Sequence, residues 1–160
     1  MSEPTSPDIS ETPRNPHADK AESYFRKVNQ GPLSDFTPAQ GVAVAQLCKK
    51  SGEDPKTLGT ALLGDSARIM ELTTDANKYH RESDPDLPPV TTALTRDVIE
   101  RVFGIAEDAM LLPPEKIEEL LASVADAKES ETKREAWIAR VQAEIAAKKA
   151  ELNKSSTQSI

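Results

Sequence analysis

The segment from residue 115 to residue 152 contains neither Gly nor Pro and is rich in Ala, Glu, Lys and Leu. These four residues favour helix and no breaker interrupts them, so the segment predicts helical structure. Its apolar residues form two sets, each on one face of a helix with 3.6 residues per turn. The first set is Ile117, Leu120, Leu121 and Val124, and the second is Ile138, Val141, Ile145 and Leu152. This end of the chain is therefore expected to pack on another helix.

The second apolar set repeats with alternating steps of three and four along positions 138, 141, 145, 148 and 152, broken only by Lys148. This spacing begins a coiled-coil seam but is shorter than the three or four heptads that a coiled coil requires. We predict that it contacts a second copy of the chain or a partner helix, with Trp137 as an aromatic anchor at its edge. The predicted contact residues are Trp137, Ile138, Val141, Ile145 and Leu152. The alternative is packing on Val98, Val102 and Phe103 of the same chain.

Composition narrows the classes of protein to which the chain can belong. Its formal charge of −7 argues against broad binding to nucleic acid or to an anionic membrane surface. No apolar run is long enough to cross a bilayer, and the first residues lack the features of a signal peptide. The single Cys48 excludes an intramolecular disulfide framework. We therefore expect a cytoplasmic protein without membrane contact.

The order of helix and breaker signals predicts an all-α fold in five parts. Four prolines among the first sixteen residues predict a disordered N-terminal tail over 1–17. A small domain of three or four short helices follows over 18–80, and residues 81–91, with three prolines, predict a hinge. Longer helices over 92–153 form a C-terminal helical hairpin or arm, and 154–160 is a second disordered tail.

Local signals predict where several helices begin and end. Thr37-Pro38-Ala39-Gln40 has the residues of a capping box with Pro at the first helical position. Asp54, followed by Pro55, and Asp65 are predicted N-caps of the next two helices. Gly52 closes the helix before them. Gly104, in the middle of the broadest apolar helix, is expected to weaken it and to allow a close approach by another helix.

Residues 47–62 match the spacing of a helix-turn-helix unit. A small residue, Cys48, precedes Gly52 by four positions, and the aliphatic positions beyond the turn are filled by Leu58 and by Ala61 or Leu62. The polar residues available for DNA contact would be Lys49, Lys50, Lys56, Thr57 and Thr60. Glu53 and Asp54 in the turn argue against DNA, and an ordinary pair of short helices has the same requirements.

No pattern for catalysis, metal binding or a cofactor is found. His17 and His80 lie far apart with no ligand spacing to Cys48, and a Cys48–His80 nucleophile pair conflicts with the apolar neighbours of Cys48. We therefore predict a non-catalytic interaction or assembly protein without a cofactor, of the kind found among phage and plasmid accessory proteins, which binds itself or a protein partner. The alternative is a DNA-binding regulator or DNA-packaging factor that uses residues 38–64.

Overall fold

The computed structural model describes residues 15–29, 33, 36–83, 85–86 and 88–158. Within these ranges every regular element is an α-helix, which confirms the predicted all-α fold. The predicted tail over 1–17 lies outside the described residues up to position 14, and residues 16 and 17 already belong to the first helix. The helices are α1 (Pro16–Val28), α2 (Thr37–Ser51), α3 (Pro55–Leu63), α4 (Ser66–Ser83), α5 (Thr92–Ala109), α6 (Pro114–Ala122), α7 (Val124–Ala127) and α8 (Glu131–Gln158).

Short polar side chains fix the starts of three helices. Asn15 accepts a hydrogen bond from the His17 amide at 2.9 Å, so α1 begins two residues earlier than the apolar pattern predicts. Asp54 and Asp65 cap α3 and α4 as predicted, since each carboxylate accepts from a backbone amide three residues on. Gly52 ends α2 with φ of 73°, a left-handed conformation that glycine adopts at little cost.

The capping box predicted at the start of α2 is wrong. Thr37 is the first helical residue, and the preceding cap position is held by Phe36 without a side-chain hydrogen bond. The side-chain amide of Gln40 instead donates from Nε2 to Asn29 Oδ1 at 2.9 Å, which joins the start of α2 to the end of α1. Because Phe36 is buried and the Gln40 amide is turned toward α1, a reciprocal Thr–Gln pair does not form here.

Helix α2 lies at the centre of the fold and packs against α1, α3, α5 and α6. Two glycines let α5 come close to its neighbours. A Cβ atom at Gly41 would lie 2.5 Å from Ile105 Cγ2, and one at Gly59 would lie 2.8 Å from the Cβ of Phe103. Gly104 faces open space, with nothing within 4 Å of its Cβ position, so the close approach expected there is wrong. The glycines that permit contact lie on α2 and α3.

The connection between α4 and α5 is held at Val90, inside the region predicted as a hinge. The Asn77 side chain accepts from Val90 N at 2.6 Å and donates to Val90 O at 2.9 Å. Nearby, the buried hydroxyls of Thr73 and Thr95 hydrogen-bond to each other at 2.7 Å. One hydrophobic cluster includes residues from both sides of 81–91, from Ala21 to Ile145. The two halves of the chain therefore share a core.

The long helical segment after Pro113-Pro114 is divided into three helices. Ser123 Oγ donates to Leu120 O at 2.8 Å at the first break, and Ser130 Oγ accepts from Lys133 N at 3.1 Å at the second. Neither break contains Gly or Pro, so only these side-chain hydrogen bonds and the packing distinguish them from continuous helix. Helix α8 then runs to Gln158, through residues 154–158 for which the sequence predicts a tail.

Candidate functional site

The first half of α8 is held against α6 and the start of α2. Trp137, only 4% exposed, donates from Nε1 to Leu120 O and to Ser123 Oγ, both at 3.0 Å. Its ring lies against that of Phe36, with 5.2 Å between the ring centroids. An aromatic residue that the sequence assigns to a partner contact is thus buried within its own chain, with its polar N–H satisfied.

The next apolar residues of α8 are also covered within the same chain, as far as residue 145. Val141 and Ile145 are buried and Ile138 is half-buried, all in the hydrophobic cluster of this chain. Val141 and Ile145 are therefore covered in the folded chain, whereas part of the Ile138 side chain stays open. The predicted interface at these positions stays a prediction, and so does the alternative of packing on Val98, Val102 and Phe103, with which Trp137, Val141 and Ile145 share one hydrophobic cluster.

Ion pairs along the edges of α8 show how it runs relative to its neighbours. Arg140 pairs with Glu119, Lys116 with Glu144 at 3.1 Å, and Lys149 with Asp108 at 3.4 Å. A hydrogen bond to Glu144, assisted by the charge of Glu119, raises the pKa of Lys116. Residue numbers rise along α8 as they fall along α6, so the two helices are antiparallel.

Beyond Ile145, α8 continues to Gln158, and its side chains are mainly exposed as far as residue 154. This distal part of α8, residues 146–158, is about 20 Å long at the rise of an α-helix. Leu152 lies on the same face as Val141 and Ile145, yet it is 47% exposed. The face that is buried in the first half of the helix therefore extends into an uncovered part.

The α2–α3 pair has the buried positions of the predicted helix-turn-helix unit. Cys48, Leu58 and Leu62 are fully buried around the turn at Gly52. The exposed face of α3 borders an open groove whose other wall is the start of α1. The residues lining this groove are Asn15, His17, Lys56, Thr57, Thr60 and Ala61.

The five predicted DNA-contact residues differ in their availability. Lys50, Lys56 and Thr60 are exposed, whereas Lys49 is half-buried. Thr57 is also exposed, but its hydroxyl donates to Asp54 at 2.8 Å and is engaged in capping α3. Lys50, Lys56 and Thr60 thus lie on open surface, and their side chains take no part in capping α3 as that of Thr57 does.

A cluster of charged residues that sequence reasoning missed joins α1 to α4. Arg68 bonds to Asp19, Glu22 and Asp65, and the neighbouring Arg26 bonds to Glu22, Glu71 and Asp75. Burial disfavours the charged guanidinium of Arg68, but the carboxylates together outweigh burial and raise its pKa. Two local pairs could have suggested part of this cluster from the sequence, Glu22 with Arg26 at i,i+4 and Asp65 with Arg68 at i,i+3.

Two residues considered for catalysis are not arranged for it. Burial, with lesser contributions from the charges of Glu53 and Asp54, raises the pKa of the Cys48 thiol to about 11. The thiol is thus protonated at neutral pH, and a nucleophile needs the thiolate. The imidazole nitrogens of His80 have no hydrogen-bond partner among the residues described. Across the same residues, no group of three or more His, Cys, Asp and Glu side chains could hold a metal ion.

The class that the fold defines is an all-α protein with a central α2 and a C-terminal helix that continues past its core. None of its described helices has the length and apolar character needed to cross a membrane. Comparisons of the chain with models of protein families, with curated proteins and with solved structures find no match. The functional argument therefore depends on the geometry of the molecule.

Proposed function

We propose that this chain is a non-catalytic assembly protein that self-associates through α8. The observation that supports this proposal is the apolar face of α8, which is buried at Val141 and Ile145 and uncovered at Leu152. A large apolar side chain on an exposed helix gains free energy when a second helix covers it, about 1.5 to 3 kcal/mol for complete burial. The distal part of α8 is the segment that a second copy would cover.

The charges around Leu152 suit contact with another copy of the chain. Lys148, Lys149 and Lys154 make the distal part of α8 basic, with Glu151 as its acidic residue. The exposed side of α5 carries acidic residues, including Glu100 and Glu107. Within one chain Lys149 already pairs with Asp108 of α5 and Lys148 with Glu151, so attraction between copies depends on the other charges and affects the orientation of the copies more than the strength of association.

The mass of the protein in solution, measured by size-exclusion chromatography with light scattering over a concentration series, tests the proposal. The wild-type mass should rise from one chain to a multiple of it. Leu152→Asp should weaken this association tenfold or more, because a carboxylate in an apolar contact costs at least about 1.4 kcal/mol. Ala150→Asp is the matched control, since it adds the same charge on the opposite side of α8 and should leave association unchanged.

Two results would contradict the proposal. A wild-type protein that stays monomeric at every concentration would overturn self-association. Equal weakening by Leu152→Asp and Ala150→Asp would show that charge alone, and not the apolar face, is responsible. Helical circular dichroism should be the same in both variants, because both positions are exposed.

A second candidate function is DNA binding by the α2–α3 pair. It is supported by the left-handed turn at Gly52 and by the exposed Lys50, Lys56 and Thr60. Two features argue against DNA binding, namely the acidic Asp54 at the start of α3 and the position of α1 beside the exposed face of α3. Self-association is therefore the preferred function. A salt-sensitive gel shift with DNA, expected only for the second candidate, separates the two.

A further inference from the structure

The turn between α7 and α8 is a short connection that the sequence does not fix with a helix breaker. It consists of Lys128, Glu129 and Ser130. Lys128 has φ of −72° and ψ of −9°, close to helical values. No Gly or Pro occurs anywhere from residue 115 to the end of the chain. Rotation at these few residues would therefore convert α7 and α8 into one continuous helix.

Polar contacts within the turn help to hold it closed. Ser130 Oγ accepts from Lys133 N at 3.1 Å and acts as the N-cap of α8. Lys133 also pairs with Glu129 at 2.7 Å and with Asp126 at 3.3 Å. The pair of Glu129 and Lys133 has i,i+4 spacing, so a continuous helix would keep it. Straightening the turn gives up contacts that include this cap and the exposed pair of Lys133 with Asp126, and it adds backbone hydrogen bonds of the helix.

The contacts that seat α8 on the rest of the molecule do not depend on which chain supplies α8. They are the hydrogen bonds of Trp137 to Leu120 and Ser123, its ring contact with Phe36, and the ion pairs of Arg140 and Lys149. All of them join α8 to other helices or to the residue before α2. An α8 from a second copy could make each of them in the same geometry.

From these three observations we infer that two copies of the chain exchange α8, so that the α8 helix of each seats in the groove formed by Phe36, Leu120 and Ser123 of the other. The inference rests on the proposed self-association through α8. Exchange leaves Leu152 as exposed as in the closed form, so the contact tested by Leu152→Asp is a second one between the joined copies. Exchange of an identical element loses no contact of the closed form except at the hinge, which makes it a low-cost way to form a dimer. It also makes Trp137, Val141 and Ile145 contact residues between copies without exposing them.

A proline at the first residue of α8 tests the exchange. In the closed form Glu131 is exposed and occupies the first helical position, where Pro is tolerated. In the exchanged form residue 131 lies inside a continuous helix, where Pro disfavours the structure about a hundredfold. Glu131→Pro should therefore be monomeric with unchanged helicity. Glu131→Ala, the matched control, should dimerise as the wild type does.

A second variant should shift the equilibrium between closed monomer and exchanged dimer toward the dimer. Ser130→Ala removes the N-cap that only the closed turn needs, and alanine favours continuous helix. The equilibrium population of the exchanged dimer relative to the closed monomer should then rise about fivefold per chain. This variant keeps the inference testable even if Glu131→Pro does not fold.

Cross-linking between chains identifies the exchange directly. Glu119 and Arg140 are ion-paired across α6 and α8, so Glu119→Cys and Arg140→Cys place one thiol on each helix. The two singly substituted proteins are unfolded together, refolded at high concentration and treated with a short bismaleimide. Exchange predicts a cross-linked product of two chains, which neither protein gives alone. The doubly substituted chain, refolded at low concentration, should be cross-linked internally.

The outcomes separate the exchange from self-association itself. A dimer that persists in Glu131→Pro and gives no cross-link between chains would overturn the exchange and leave the proposed function standing. Wild-type protein that remains monomeric after refolding at high concentration would overturn the proposed function and the exchange with it. Loss of the dimer in Glu131→Pro together with the cross-link in the mixture is the result that supports both.

Discussion

Replacement of Gly41 by alanine should destabilise this protein, although the same replacement normally strengthens a helix. The new Cβ atom would lie 2.5 Å from Ile105 Cγ2, 2.6 Å from Ile105 Cβ and 2.9 Å from Val102 O. Carbon atoms in contact prefer about 3.5 to 4.0 Å, so α5 would have to move away by about 1 Å. Rotation of the Ile105 side chain cannot relieve the contacts with its Cβ atom and with the Val102 backbone.

The expected magnitude combines two opposing effects. Overpacking of a close-packed interior costs about 1 to 3 kcal/mol, and alanine gains about 1 kcal/mol over glycine within a helix. Overpacking should outweigh helix propensity here, because the contacts involve backbone and Cβ atoms that cannot adapt at low cost. We therefore expect Gly41→Ala to lower the free energy of unfolding by up to about 2 kcal/mol, which is a fall of up to roughly 8 °C in Tm for a chain of this size.

Gly104→Ala is the internal control for this experiment. It makes the same chemical change in the middle of α5, at an exposed site where nothing lies within 4 Å of the new atom. Only the helix propensity changes there, so stability should rise by up to about 1 kcal/mol. Urea unfolding followed by circular dichroism measures both. A Gly41→Ala protein as stable as Gly104→Ala would refute the close approach of α2 and α5.

Three further predictions concern the other parts of the molecule. Ile145→Asp should reduce stability by several kcal/mol in urea unfolding, because the carboxylate would be buried; an unchanged midpoint would show that α8 is not seated there. If the α2–α3 pair binds DNA, changing Lys49, Lys50 and Lys56 together to Glu should abolish a salt-sensitive gel shift, and an unaltered shift would exclude this surface. At pH 8, Cys48 should react with a disulfide reagent at least about a hundredfold more slowly in the native than in the unfolded protein, because its pKa is raised from 9.0 to about 11. Because Cys48 binds its proton more tightly in the folded than in the unfolded protein, the free energy of unfolding should fall as the pH rises from 9 toward 11. Cys48→Ala should remove this contribution to the pH dependence.

The sequence predicts helices and their polar caps well, because those signals act within a few residues. Asp54, Asp65 and Gly52 have the roles that their positions indicate. The failures occur where a distant residue competes for the same group. Gln40 has the spacing of a capping box, yet its amide bonds to Asn29 of α1.

Tertiary packing also explains what the sequence could not predict about close approaches and breaks. Gly104 and Gly41 are both glycines within apolar helices, and only the positions of neighbouring helices distinguish them. Ser123 and Ser130 interrupt a segment whose composition favours helix throughout. Their role depends on α8 returning along α6, which periodicity along one helix does not determine.

The candidate site shows the same limit. A seam of apolar residues on α8 predicts that something covers it, but it does not say whether the cover belongs to the same chain or to another. Trp137 illustrates this, since an interface anchor and a core residue are equally large and apolar. The exposed fraction of Leu152 was likewise not predictable, because it depends on where the core ends relative to α8.

The position of Trp137 also allows the order of folding events to be measured. It is the only tryptophan of the chain, and its ring contacts Phe36 before α2 while its N–H bonds to the end of α6. Its fluorescence during refolding therefore changes when segments distant in sequence meet, whereas circular dichroism records helices whether or not they have docked. Local helices form faster than contacts between distant segments. A delay between the two signals would give the time that α8 needs to reach its groove, and dependence of that delay on protein concentration would reveal that the groove is filled by another chain.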